Sequence, residues 1–435
     1  MFIGKFVERT YQDPVEDLRS RRRNTTDMDL SNSLFQSEVA SSLYHRYFDE
    51  HCYAEEMGYD AIMLNEHHNA PFCMGAQPNI EAGILARITE RVKIVMLGNI
   101  LPLWDDPLLL AEQLAEIDLI SRGRLVNGWV RGTGRESVAH TAQPPYNFER
   151  LEEAHALIEK AWTTPGPFRW EGEHFHYRAV NPWVLPYQKP MPAQMACGLI
   201  SKNSMEWAAR RRYPYIMLAT EINATKAAFE YYSEVAREEG YEADSQHFGY
   251  LIKVHVDETD ELAYDVGKNF VLGANNPFNE GNEGQVRGFL QNLPGMIDRA
   301  RLLPTVGADT RSGPGGVSSG RQVITPENDT AAARRAQRAS RSYDELVGAK
   351  AIVVGSPETV IARVKEVMDF LRIGSIFFWD GEGAMTHKES MRSIRLMGEE
   401  VIPALKEYAK EIGIANPFEV DPGWRQPVEA LQASA

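Results

Sequence analysis

Four consecutive polar residues, Asn65, Glu66, His67 and His68, follow directly on the apolar run Ala61, Ile62, Met63 and Leu64. The run has the length and composition of a strand covered on both faces. A buried strand that ends in a carboxylate and two imidazoles is built to meet a ligand, because imidazole titrates near neutral pH and can hold or give a proton. Further along, Val130, Arg131 and Gly132 close another apolar run. Arginine is a permanently charged, forked donor suited to phosphate oxygens. Ser201 and Ser204 straddle the expected start of a helix, where unpaired backbone N–H groups and the helix dipole favour an anion. Ser204 alone reads as an ordinary helix cap and Arg131 alone as an ion-pair residue. At the ends of neighbouring strands, the two together point to an anchored phosphate.

These residues need elements that bring them to one place. The spacing predicts strands at residues 2–7, 59–64, 92–97, 124–130, 191–196, 215–219, 248–256 and 375–379, with amphipathic helices between them and a hairpin over 168–177. Strand–helix alternation demands parallel strands with right-handed crossovers, and eight such units close most simply as a (β/α)8 TIM barrel. An open doubly wound sheet would show a glycine-rich turn after its first strand; here the first strand runs into arginine-rich polar sequence. In a barrel the strand C-terminal ends converge on one mouth. They would bring together Asn65, Glu66, His67 and His68; Gly98 and Asn99; Arg131 and Gly132; Gly198 and Ser201; and Trp379 and Asp380.

A single barrel domain is expected over residues 1–416, interrupted after the seventh strand by a long insertion, 273–342, rich in Gly, Pro, Ser and Asn and placed to act as a lid or as a passive surface loop. Residues 417–435 read as a C-terminal tail. The 435 residues carry a net charge of −15, which argues against a general nucleic-acid binder. The three cysteines, Cys52, Cys73 and Cys197, are too dispersed for a disulfide framework or a zinc motif. Neither a signal peptide nor a membrane span is legible, so a cytoplasmic protein is expected.

The chain resembles the bacterial luciferase-like flavin-dependent monooxygenases. The carriers are Asn65-Glu66-His67-His68, Leu97-Gly98-Asn99-Ile100-Leu101-Pro102, Ser121-Arg122-Gly123-Arg124-Leu125 with Val130-Arg131-Gly132, and residues 201–208, in that order and spacing. The resemblance implies reduced FMN, delivered by diffusion from a separate flavin reductase, and oxygenation of a small organic substrate by O2 through a C4a-peroxyflavin. It implies that His67 is the catalytic imidazole, that Arg131, Ser201 and Ser204 hold the FMN phosphate, and that Asn65, Leu97, Gly98, Asn99, Gly132 and Gly198 line the cofactor, with a non-prolyl cis peptide at Leu97–Gly98. Val130 stands where luciferase has a reactive cysteine, so no thiol chemistry carries over, and Ile200 replaces an acidic residue. The resemblance also implies a homodimer through the second and third helices. Phe6, His68, Trp104 and Trp379 are candidates for the substrate pocket, each with core packing as the competing role.

A flavin-binding protein without catalysis, as occurs among luciferase relatives, is disfavoured by the presence of His67; two other readings stay open on sequence. One is a deazaflavin (F420) oxidoreductase of the same fold. The other is a metal-dependent barrel hydrolase using Glu66, His67, His68, His174 and His176, which adjacent histidines on one strand end disfavour; no metal site is expected.

Overall fold

The first strand sits at the seam of the sheet. In this computed structural model, β1 (Phe2–Phe6) pairs in parallel with both β2 (Ala61–Leu64) and the last strand, β11 (Ser375–Trp379). From β2 the sheet continues through β3 (Lys93–Ile100), β4 (Leu125–Val130), β7 (Ala193–Gly198), β8 (Tyr215–Leu218) and β9 (Phe248–Val256), which pairs back onto β11. Eight parallel strands thus close the expected (β/α)8 barrel. The structure describes all residues except 12–30, 133, 141, 144–145, 200, 220, 272–342, 349–350, 382–384 and 419–435. The 273–342 insertion and almost all of the tail lie outside that set. Phe418, at the tail's start, packs its ring 4.7 Å from that of Phe2 beneath the barrel.

Helices follow where apolar residues recur at helical spacing: α1 (Ser37–Glu56), α2 (Pro78–Ile88), α3 (Pro107–Ser121), the short α4 (Gly134–Ala139), α5 (Asn147–Thr163), α6 (Lys202–Arg210), α7 (Ile222–Glu238) and α8 (Asp260–Val271). After the insertion come α9 (Tyr343–Gly348), α10 (Pro357–Leu371), α11 (His387–Leu396) and α12 (Ile402–Glu411). Pro at the first helical position opens α2, α3 and α10, where a missing N–H costs nothing. The hairpin pairs β5 (Phe168–Glu171) with β6 (His176–Val180). A three-residue strand, β10 (Val353–Gly355), lies beside β9 outside the barrel count. Its brevity hid it from sequence pattern.

The Ser-Arg-Gly-Arg motif turns out to be a brace. Arg122 ends α3 in the left-handed region (φ +56°), and Arg124 then donates to the Ala86, Thr89 and Val92 carbonyls, tying α2 and β3 to the foot of β4.

Near the C-terminal ends of the last strands, a buried ionic network joins β1, β9 and β11 to α11. Arg392 grips both Asp257 carboxylate oxygens, Ser393 bonds Asp380, His255 Nδ1 lies 3.2 Å from Asp380, and Lys5 donates to the Asp380 carbonyl. Burial works against a charged His255, but Asp380 and Asp257 outweigh it and raise its pKa to about 9. Burial likewise opposes the Asp380 carboxylate, yet His255 and Lys5 hold it below the usual range. His255 therefore stabilises the fold fully below its ordinary pKa of ~6.5, and that contribution is lost as pH rises through about 9. The loss is on the order of 3 kcal/mol. Urea unfolding at pH 6.5 and pH 9.5 is expected to show it, and in His255→Gln the difference shrinks. A difference that persists unchanged in that variant excludes the assignment.

Candidate active site

Chain past the end of β1 and β2 builds the first half of the site. Asn65 donates through Nδ2 to Glu8, just beyond β1. Arg9, fully buried with φ +58°, donates to the carbonyls of Asn65 (2.6 Å) and Val7 and pairs with Glu81 of α2 at 2.9 Å. Its guanidinium also lies 4.0 Å from Cys73 Sγ. Burial pushes the Cys73 thiol far above its ordinary range, so it is a packing group and not a nucleophile.

The two histidines have different partners. His67 Nδ1 donates to Glu136 Oε1 at 2.8 Å, while its Nε2 lies 3.9 Å from Glu8. The other Glu136 oxygen accepts the His68 backbone N–H at 3.1 Å. Glu136, on α4, is completely buried. With Nδ1 donating to a carboxylate, the exchangeable proton position of His67 is Nε2, and its ring rests 4.6 Å from Phe72. His68 turns away to Glu66 (2.9 Å), whose second oxygen accepts the Ile100 N–H, and meets His140 edge-on at 4.2 Å. Burial raises the Glu66 pKa. For His68 burial acts the other way, but the Glu66 bond and the neighbouring carboxylates outweigh it and raise its pKa as well.

The second half stands on β3, β4 and β7. Gly98 is packed so closely on the end of β2 that an added Cβ would lie 2.6 Å from the Glu66 nitrogen. The register of β3 against β4 slips between Leu97 and Asn99, a bulge of the sort that re-aims side chains. The bond at Leu97–Gly98 is trans; among the described residues the cis bonds are Gly166–Pro167 and Lys189–Pro190. The bulge takes the place of the cis peptide that the resemblance implies. It also gives Asn99 a particular face. Asn99 is in register with Trp129, whose ring packs against His155 of α5, so Asn99 shares the helix side of the sheet and its buried amide finds no partner among the described residues.

Arg131 is two residues past Trp129, beyond the end of β4. Burial lowers its pKa, with Tyr215 acting in the opposite sense, and no carboxylate is paired with it among the described residues. Gly132 follows in the left-handed region, φ +78°. Ser201 is the N-cap of α6, and its hydroxyl accepts no bond from the helix's first turn; Ser204 Oγ donates to it at 3.2 Å. A Cβ on Gly198 would meet the Tyr215 hydroxyl at 2.5 Å. A half-buried cation with no carboxylate partner among the described residues, next to a helix N-terminus whose cap hydroxyl makes no bond to the first turn, suits the phosphate of a nucleotide cofactor. Ile200 lies outside the described residues.

The mouth thus gathers Asn65, His67, His68, Gly98, Arg131, Gly132, Gly198, Ser201 and Ser204. His67 follows β2 and Arg131 follows β4, one strand apart, or about 10 Å at the backbone. Phe6 and Trp379 meet there ring to ring at 5.4 Å. Trp104 lies in the β3–α3 loop, its carbonyl held by Arg150 of α5. His174 and His176 belong to the β5–β6 hairpin. His174 forms, with Glu149 and Glu173, the one set among the described residues whose donors could share an ion, and only Glu173 of the three is exposed. His67 and His68 do not converge on a common point. Glu8 and Glu136 join the site as residues that sequence pattern does not single out, although Glu8 directly follows the first strand.

A (β/α)8 barrel whose mouth brings a carboxylate-held imidazole together with a half-buried arginine and a helix start has the make-up of an enzyme active site. Comparison narrows the class. The family profile described as "Luciferase-like monooxygenase" matches residues 44–371, and the chain belongs to that family, which makes it an oxidoreductase. It is 28% identical over 247 residues to the alkanal monooxygenase alpha chain of Photobacterium leiognathi, covering 54% of this chain and 68% of that one. It is 26% identical over 220 residues to the alpha chain from Photorhabdus luminescens, covering 50% and 60%. In fold it is similar to the monooxygenase RslO1 from Streptomyces bottropensis (TM-score 0.65, 18% identity, 93% of this chain and 100% of that one). It is also similar to the oxygenating constituent of 3,6-diketocamphane monooxygenase from Pseudomonas putida, solved with FMN (0.64, 19%, 93% and 98%). An F420-dependent secondary alcohol dehydrogenase shares the fold at TM-score 0.58 and 15% identity, with coverage of 93% and 98%.

Proposed function

We propose that this chain is the oxygenase component of a two-component system, taking reduced FMN from a separate reductase and using O2 to oxygenate a small organic substrate. The observation that carries the reading is the half-buried Arg131, with no carboxylate partner among the described residues, beside the Ser201–Ser204 helix start and on the same mouth as His67. Arg131 and the two serines would hold the phosphate. Bound reduced flavin supplies the electrons that activate oxygen. The residues around it orient, shield and move protons. Glu136 fixes the His67 ring so that Nε2 is the atom that holds or releases a proton, while Phe6, Phe72 and Trp379 exclude water from its surroundings.

Arg131→Ala tests this reading. Loss of charge-assisted hydrogen bonds is expected to weaken FMN binding about 10- to 100-fold while riboflavin binding stays nearly constant. Equal losses for both ligands would rule out a phosphate contact. A deazaflavin cofactor is the second reading, motivated by the fold shared with the alcohol dehydrogenase above; parallel titration with FMN and the deazaflavin separates the two.

A homodimer belongs to the same proposal. Ile80, Ile84 and Ile88 recur every fourth residue on α2 and stay exposed, as do Leu109, Leu119 and Ile120 on α3. Asn79 and Gln113 bond across the two helices, so the stripes form one apolar face large enough to invite association. Ile84→Glu should halve the sedimenting mass; a parent protein that already sediments as one chain defeats the dimer.

A further inference from the structure

Two glutamates one helical turn apart on α5, Glu149 and Glu153, share a face, and the tip of the β5–β6 hairpin is held against it. Glu153 accepts the backbone N–H groups of Glu173 (3.0 Å), His174 (2.8 Å) and Phe175 (3.1 Å), and the Trp170 indole N–H (3.1 Å). Four donors on one carboxylate fix the turn, so the side chains of Glu173 and His174 are set down beside Glu149. One oxygen from each of Glu149 and Glu173 and one ring nitrogen of His174 lie within 4.8 Å of one another. The start of α5 belongs to the rim of the mouth. Asn147 donates to Ser137 of α4 at 2.8 Å, the helix whose Glu136 holds His67, and Arg150 donates to the Pro102 and Trp104 carbonyls.

Two features separate this cluster from a solvated acidic patch. His174 Nε2 is closed off from solvent and has no hydrogen-bond partner among the described residues. A Glu149 oxygen is 3.7 Å from it, too far for a hydrogen bond but close enough for one ion about 2.0–2.2 Å from each. The second feature is charge. Two carboxylates converging on one point repel each other unless a cation lies between them, and the neighbouring Arg150 is turned instead to the loop carbonyls and to Asp105. Glu149 can ligate and keep its other contacts, because a carboxylate has about four lone-pair sites. One imidazole and two carboxylates, with water in the remaining tetrahedral position, is a donor set that zinc takes. Magnesium, which demands octahedral oxygen coordination, is poorly served. Sequence pattern alone points to no metal here, because Glu149 belongs to a helix and the other two ligands to a hairpin.

We infer that Glu149, Glu173 and His174 form a binding site for a divalent cation of the zinc class, which clamps the hairpin tip to the start of α5 at the rim of the mouth. The site acts on the scaffold and is independent of the flavin reading, so failure of either leaves the other standing. Calorimetric titration of the full-length protein, free of any polyhistidine tag and stripped with chelator, tests it with zinc chloride as the probe. A zinc site that depends on His174 is expected, with magnesium chloride binding at least about 100-fold more weakly. His174→Gln weakens zinc binding about 100-fold, and Glu173→Gln, at an exposed turn position where the backbone bond to Glu153 is kept, about tenfold. His176→Gln, exposed on the adjoining strand, leaves the affinity within about twofold of the parent. Absence of zinc binding, binding unchanged in either His174→Gln or Glu173→Gln, an equal loss in His176→Gln, or magnesium binding as tight as zinc overturns the inference.

Discussion

His67→Ala binds FMN within about twofold of the parent protein and loses product formation by roughly 100-fold or more, the scale set by a lost general acid or base. The asymmetry follows from the architecture. Arg131 and the Ser201 cap, the proposed phosphate cradle, stand beyond β4 and β7, while the imidazole stands beyond β2 and is held by Glu136 at 2.8 Å. Removing the ring leaves the cradle intact and takes away the Nε2 proton site. Single-turnover mixing of the reduced, FMN-loaded variant with oxygen and substrate is the measurement, with product quantified directly. Turnover equal to the parent would strip His67 of its role. Glu136 gives this prediction its chemical content, because a histidine free to spin would not present one particular nitrogen.

Arg9→Met is expected to cost about 3–5 kcal/mol of folding free energy, the penalty for orphaning a buried partner. Glu81 is buried and its pKa already raised by burial, with Arg9 the group that opposes the shift. Without Arg9 it is left buried and unpaired, and the Asn65 carbonyl loses its 2.6 Å bond. The second effect is on the site, since Asn65 bonds Glu8 and lies two residues before His67. Arg9→Met combined with Glu81→Leu should recover much of the stability, because exchanging both members of a buried pair for apolar groups is far milder than removing one. Chemical unfolding of the parent, both single variants and the double variant checks this, and a single variant as stable as the parent would show that the pair contributes nothing.

The barrel was legible because each of its strands is an apolar run of the right length between amphipathic helices, and a closed parallel sheet buries both faces of such a run. His67 and Arg131 were legible because they end such runs. Other features were not. Glu136 reaches His67 across 69 residues, and no local pattern reports a contact of that span. The slip at Gly98 reverses the side on which later residues of β3 emerge relative to simple alternation, so the helix-facing placement of Asn99 could not be read from its neighbours. The trans bond at Leu97–Gly98 departs from what the family resemblance implies, and only the backbone itself reveals it.

The pairing of β1 with β11 has a consequence for biosynthesis. Strand β1 has one of its two neighbours more than 360 residues further along the chain, which at about 5–20 residues per second amounts to roughly 20–75 s of translation. Throughout that interval the nascent sheet exposes two unsatisfied edges of hydrogen-bonding groups, an invitation to mispairing. Chaperone dependence during expression, and insolubility of chains stopped short of residue 375, are what this closure order entails.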